Sequence, residues 1–210
     1  DDALDEMLAW HAAHLDGIIA SSGDAIEAAA TRVADQVERG GIVHVYGPGG
    51  HSNLAAQEVF FRAGGLVNMS AVLDEGTLLS NGALRSVAME RTPGYGRTVI
   101  HTLGLGSDDL LILVNAYGIN SALIDSAKAA KEAGTYVIGV SSRQHAEQVP
   151  PDHPARHPSK ANLHDIVDLA VDSRVPLGDA VLTIHGVADP FAAISTFANA
   201  FVLQGIVAEA

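Results

Sequence analysis

The chain contains no cysteine. Disulfides, thiolate metal sites and cysteine nucleophiles are thereby excluded, and the absence fits a cytoplasmic protein. Basic residues are scarce: Lys and Arg number 12 against 25 Asp and Glu, giving a formal net charge of −13. So acidic a surface repels nucleic acid and anionic membranes, and neither is expected as a partner. An anionic ligand would need local positive potential, from loop amides, helix N-termini or a few Arg and His. Aromatic residues make up only 5%, which leaves the core to Ala, Val, Leu and Ile. No apolar run is long enough to span a bilayer. The longest candidate, residues 180–208, is interrupted by His185, Asp189, Pro190, Asn199 and Gln204. The first residues are acidic, without the basic leader of a signal peptide.

What is present is a chain of 210 residues, 48% hydrophobic and 18% charged. Those figures fit one sizeable globular domain over residues 1–210. Leu4, Met7, Leu8, His11, Leu15, Ile18 and Ile19 recur at spacings of three and four, predicting a helix over 2–20. Ser22-Gly23-Asp24 reads as a break, with Asp24 as N-cap of a second helix over 25–39 that Gly40-Gly41 ends. These two helices pack either on the domain or on a second subunit. Strands are expected at 42–46, 66–73, 110–114, 136–140 and 169–172. Helices are expected at 54–63, 97–103, 122–133 and 188–208, with a helical turn at 86–91 and a brief helix at 163–169. The last long helix, apolar nearly all round, is expected to be buried, in the domain or at a subunit interface. Residues 144–160 read as loop, and 180–185 fits either strand or helix. The unbroken apolar run at 110–114 marks a buried central strand.

Strands alternating with helices predict a parallel sheet with right-handed crossovers. The expected fold is α/β: a three-layer α-β-α sandwich with five parallel strands in the flavodoxin-like order 2-1-3-4-5 and an N-terminal helical extension over 1–40. Ligands bind such sheets outside the strand C-termini at the switch point, here between strands one and three.

Two loops flank that point. The first runs Gly47-Pro48-Gly49-Gly50-His51-Ser52-Asn53. It begins as a dinucleotide fingerprint, but Ser52 stands at the third glycine position and no acidic residue follows at the expected distance. It also lacks the Gly-Lys-Ser/Thr of a P-loop. A glycine loop with His51, Ser52 and Asn53 beside a helix start suits one phosphate monoester; the plainer alternative is a tight turn with Ser52 as N-cap. The second loop places Asn115, Tyr117, Asn120 and Ser121 around Gly118. A third adds Ser141, Ser142 and Arg143. Capping and turn chemistry at each loop separately is the plainer alternative. The histidines at 145, 153, 157 and 164 invite a metal reading, but Pro154 and Pro158 disrupt the helical spacing of His153 and His157. No metal and no cofactor is expected.

Gly49-Gly50-His51-Ser52 after strand one, Glu58 to Leu66 (EVFFRAGGL), the polar-Gly-polar second loop, Val-Ile-Gly-Val-Ser-Ser at 137–142 and Pro176-Leu177-Gly178-Asp179-Ala180 resemble the SIS (sugar isomerase) phosphosugar-binding domain family. The phosphoheptose-isomerase-like single-domain branch is the nearest. The resemblance implies a sugar-phosphate ligand and homodimers or homotetramers that build the site at a subunit interface. The family's second loop usually reads Ser-x-Ser-Gly-x-Thr; here it is Asn115-Ala116-Tyr117-Gly118-Ile119-Asn120. The family's isomerases carry a glutamate near the place that Phe61-Arg62 occupies here. Aldose–ketose isomerisation needs a base to move a proton between adjacent carbons and an acid at the carbonyl oxygen. Glu58 or Glu90 is the candidate base, and His51 or His185 the candidate acid or polarising group; His185 resembles the family's late-chain histidine in position. The phosphate is expected on Gly49, Gly50, His51, Ser52 and Asn53, with Asn115, Tyr117, Gly118, Asn120, Ser121, Ser141 and Ser142 completing the site. A phosphosugar-sensing module without catalysis and an amino-sugar-phosphate lyase or etherase are the alternatives.

Overall fold

A computed structural model describes residues 3–210. Five strands form one parallel sheet: β1 (Val43–Tyr46), β2 (Met69–Val72), β3 (Leu110–Val114), β4 (Tyr136–Ser141) and β5 (Leu169–Asp172). Their order is β2-β1-β3-β4-β5, as the alternating pattern predicts. All five residues of β3 are buried, because helices cover both of its faces.

The strand pleat divides the core. Val43, Val45, Ile112 and Val140 face a layer built from α1 (Ala3–Glu38), α2 (Ser52–Glu58) and α7 (Ser195–Glu209). Tyr46, Leu111, Leu113 and Val137 face α4 (Tyr95–Leu103) and α5 (Ser121–Glu132). Between β2 and α4 lies α3 (Ala83–Glu90), whose one buried residue is Ser86.

The N-terminal extension is one helix of 36 residues, about 54 Å long, and not two. The expected break at Ser22-Gly23-Asp24 does not occur. Ser22 is buried and its Oγ donates to the Asp172 carbonyl of β5 at 2.9 Å. Ser21 Oγ donates back to the Gly17 carbonyl. Ile18, Ser22, Ile26, Ala29 and Val33 form one continuous buried stripe, and that packing outweighs the weak local preference for a break.

The chain departs from expectation in three further places. Helix α2 stops at Glu58, earlier than the expected 63, and Phe61 (φ 48) and Gly64 (φ 77) turn the chain in left-handed conformations. Within the stretch read as loop, α6 (Arg143–Gln148) forms because Ser142 Oγ accepts the His145 N–H at 3.0 Å as an N-cap. The C-terminal helix starts at Ser195, well after the expected 188. The residues before it form an antiparallel hairpin, β6 (Ala180–Leu182) and β7 (Phe191–Ala193). Pro190 and the left-handed Ala192 (φ 60) are incompatible with the interior of a helix. Within the chain α7 is buried on one face: Ala198, Asn199, Val202 and Ile206 are buried, while Phe197 is exposed and meets His11 of α1 edge-on.

A Cβ on Gly23 would meet no atom within 4 Å, and the residue lies inside α1 with no left-handed φ. Gly23→Ala is therefore expected to stabilise the protein by about 0.5–1 kcal/mol by restricting the unfolded chain. A calorimetric Tm equal to or below that of the wild type would show that α1 does not run unbroken through residue 23.

Candidate functional site

The C-terminal ends of β1 and β3 open into a cleft of about 270 Å³. Its floor is the first loop. A Cβ on Gly47 would lie 2.1 Å from the Ser52 carbonyl oxygen, so only glycine permits this return to α2. Gly49 has φ 141, again a glycine conformation. Beneath the loop, buried Asn53 donates from Nδ2 to the carbonyls of Gly49 (2.9 Å) and Thr77 (3.2 Å). Asn53 thus supports the loop from below and does not face the cleft. His51 is exposed at the start of α2, and its side chain makes no capping bond.

Two carboxamides join the second loop to the first. Asn115 accepts the N–H groups of Tyr117 and Gly118 on Oδ1, both at 2.9 Å. Its Nδ2 donates to the Pro48 carbonyl and to Ser52 Oγ, both at 3.2 Å. Asn120 caps α5 by accepting the Leu123 N–H at 3.0 Å, and its Nδ2 donates to the Pro48 carbonyl at 3.4 Å. Gly118 (φ 74) packs against Ser141, whose Oγ would lie 2.7 Å from an added Cβ.

The structure brings Gly49, Gly50, His51, Ser52, Glu90, Asn115, Tyr117 and Asn120 to the walls of one cleft. Gly118, Ser121, Ser141 and Ser142 are buried behind the loops. Ser142 Oγ is committed to the Val175 carbonyl at 2.6 Å and to capping α6.

Two of the candidate catalytic residues lie elsewhere. Glu58 ends α2, where its carboxylate accepts from Arg62 (3.1 Å) and from Gln204 of α7 (3.3 Å). A helix that follows a parallel strand leads away from the ligand edge at 1.5 Å per residue, so six residues past Ser52 is roughly 9 Å down the axis. His185 is exposed between β6 and β7, outside the cleft.

Glu90 behaves differently. It is the last residue of α3, and its Oε2 would lie 2.7 Å from a Cβ on Gly49. Among the described residues its carboxylate has no hydrogen-bond or ion-pair partner. Burial pushes its pKa from 4.5 up to about 7, against the opposing pull of Arg91. Tyr117 stands in the same cleft. Its ring stacks on His145 with centroids 3.9 Å apart and planes 16° from parallel. Burial, then the charges of Asp179 and Glu90, push its pKa up.

Sequence reasoning did not assign Asp179 and Ser195 to the cleft. Asp179 adopts a left-handed conformation (φ 67). Its Oδ1 accepts the N–H groups of Ile194 (3.0 Å) and Ser195 (2.7 Å), and Oδ2 accepts Ser195 Oγ–H at 2.6 Å. It thus caps α7 from across the hairpin. The only local signal was Gly178-Asp179, a turn pair; the helix that it caps begins sixteen residues later.

Among the described residues no Lys or Arg lines the cleft, whose acidic walls are Glu90 and Asp179. The histidines that invited a metal reading are dispersed. His157 meets Asp125 at 3.1 Å, and His145 lies under Tyr117. Among the described residues there is no group of three or more His, Asp or Glu side chains arranged to hold a metal ion, and no helix long and apolar enough to cross a membrane.

Comparison with known proteins bears on the family and the fold. The SIS domain family model matches residues 8–142. A UPF0309 protein of Halalkalibacterium halodurans is 38% identical over 185 residues, covering 88% of this chain and 72% of that protein. One from Streptomyces coelicolor is 38% identical over 189 residues, covering 89% and 73%. Among solved structures, a phosphoheptose isomerase from Francisella tularensis superposes over 100% of both chains with a TM-score of 0.62 at 16% identity. The sugar isomerase domain of an RpiR transcription factor from Sphaerobacter thermophilus covers 100% of this chain and 89% of that one, with a TM-score of 0.57 at 15% identity. At such identities the structural likeness speaks for the fold alone, and the sequence matches carry the assignment: the chain belongs to the SIS domain family and groups there with the UPF0309 proteins.

Proposed function

We propose that the protein is a sugar-phosphate aldose–ketose isomerase acting through an enediol, with Glu90 as the base. One observation carries this reading: a carboxylate without a protein partner, held in a cleft against the glycine loop, with a pKa near neutrality. A base so poised is half-ionised at working pH and can both remove and return a proton. The phosphate is assigned to the first loop, where Gly49 and Gly50 let the backbone approach closely and Ser52 and His51 offer polar groups. Asn115 and Asn120 act in this reading mainly by fixing the loops, since their amides already bond to Pro48.

A second reading rests on the lack of Lys and Arg in the cleft. Glu90, when ionised, and Asp179 are acceptors only, which favours a ligand that brings its own donors, such as an amino or acetamido N–H. On an amino-sugar phosphate, proton removal by Glu90 can be followed by loss of the β-hydroxyl instead of reprotonation at carbon: the carbanion pair forms the C=C bond, and the hydroxyl leaves as water with the proton that Glu90 has taken. Both readings place the protein in the cytoplasm, where sugar phosphates are kept.

Self-association is part of the proposal. Phe61 is 96% and Val67 95% exposed. They border an apolar groove of about 350 Å³ floored by Leu66 and Met69. A knob and a groove on one loop suit a two-fold contact between identical chains. Phe61→Ser is expected to lower the mass measured by sedimentation velocity to that of the monomer; an unchanged mass would remove this face from the interface.

Thermal-shift measurements with glucose, fructose, glucosamine and N-acetylglucosamine 6-phosphates, ribose 5-phosphate and sedoheptulose 7-phosphate test the ligand class. Phosphorylated sugars should raise Tm and their unphosphorylated forms should not; equal shifts would sink the phosphate site. Incubation of a binder in D₂O then separates the readings. Deuterium at C1 or C2 with an aldose–ketose mixture supports isomerisation, and an unsaturated product absorbing in the near ultraviolet supports elimination. The exchange rate should rise with pH and level off above about 7, and Glu90→Gln should abolish it.

The same carboxylate affects stability. Its folded pKa lies above the unfolded value, so between about pH 4.5 and 7 the native state keeps a proton that the unfolded chain has lost. Stability therefore falls as pH rises through that window. Glu90→Gln should match the wild type near pH 4 and exceed it by roughly 2 kcal/mol at pH 8, a figure reduced for the group's partial exposure. Parallel denaturation curves at the two pH values check the sign.

A further inference from the structure

We propose that Tyr117 is the hydrogen-bond donor that stabilises the developing enediolate oxygen, and that His145 is the positioning residue that holds its ring. This rests on the reading of Glu90 as the base, and it replaces His51 and His185 in the polarising role.

The geometry supports it in four respects. Tyr117 lines the same cleft as Glu90 and Asp179, and both carboxylates are near enough to act on its hydroxyl. Among the described residues that hydroxyl has no hydrogen-bond partner. Tyr117 is half-buried in the cleft wall, and its hydroxyl is not sealed from solvent. The backbone under the ring is fixed, because Asn115 Oδ1 accepts the N–H groups of Tyr117 and Gly118. The ring itself lies on His145 and packs against Ile119, Ala146 and Val149; the His145 N–H donates to Ser142 Oγ, and its Nδ1 lies 3.5 Å from the Pro176 carbonyl.

Burial and two neighbouring carboxylates keep the phenol protonated. A phenol in that state is a donor throughout the working pH range and does not lose its proton to solvent. The electron count is simple. Glu90 takes the proton from the carbon beside the carbonyl, the C–H pair becomes the C–C π bond, and the carbonyl π pair moves onto oxygen. The Tyr117 O–H donates to that oxygen without net proton transfer. A donor aimed at the charge that forms in the transition state acts mainly on turnover and little on ground-state binding. The polar alternatives are less suitable: His51 is exposed at the rim, and Ser195 Oγ–H already donates to Asp179.

Four proteins test this: wild type, Tyr117→Phe, His145→Ala and His145→Phe. Two probes are used: the best binder of the six sugar phosphates named above, and phosphoglycolohydroxamate, a small phosphate ester whose hydroxamate mimics an enediolate. Tyr117→Phe should slow deuterium exchange at least about 100-fold while changing KM for the sugar phosphate less than threefold. His145→Ala should lower kcat with KM little changed, and His145→Phe, which keeps a flat ring under Tyr117, should restore it. With tyrosine labelled by ¹³C at Cζ, the signal lost in Tyr117→Phe should shift when the wild type binds phosphoglycolohydroxamate.

Wild-type exchange rates in Tyr117→Phe would overturn the proposal, and so would a Tyr117 signal that the hydroxamate does not move. If the wild type itself catalyses no exchange, the isomerase reading fails separately. The Cζ signal then still decides whether Tyr117 donates to an enediolate-like oxygen.

Discussion

The carbonyl oxygen of Pro48 accepts hydrogen bonds from two carboxamides, Asn115 and Asn120. This junction determines the shape of the cleft. Pro48 belongs to the glycine loop after β1, and both asparagines belong to the loop after β3, the two strands that flank the switch point of the sheet. Each asparagine uses its other end locally: Asn115 Oδ1 folds the loop under Tyr117, and Asn120 Oδ1 caps α5. Two elements far apart in sequence are thereby fixed at one separation, and the walls of the cleft follow from it.

Within that frame the polar groups fall into two classes. Asn53, Asn115, Asn120, Ser142, Asp179 and Ser195 are hydrogen-bonded to the protein and hold backbone in place. Glu90 and Tyr117 line the cleft, and neither the carboxylate nor the hydroxyl has a partner among the described residues. An unpaired carboxylate that titrates near neutrality destabilises the fold at higher pH. Such a group is characteristic of a site whose chemistry needs it.

The sheet and its strand order were legible because the alternating apolar runs and glycine turns are local signals. Loop one was legible for the same reason, and so were Asn115, Tyr117 and Asn120, which directly follow the most apolar strand. What escaped the pattern depends on tertiary partners. Ser22-Gly23-Asp24 looks like a break until Ser22 finds the carbonyl of Asp172. Glu58 looks well placed until α2 carries it toward Gln204. Asp179 caps a helix that begins sixteen residues later. Glu90 and Glu58 are alike in sequence as helix glutamates; only the approach of α3 to Gly49 separates them.

The ionisation of Glu90 in the folded protein is the property on which the assignment depends most directly. It is measured by following the side-chain carboxyl carbon by ¹³C NMR across pH, with Glu90→Gln identifying the signal. A midpoint near pH 7 is expected. A midpoint at the ordinary value of 4.5 would mean an exposed, unremarkable carboxylate, and would contradict its role as the base of the site.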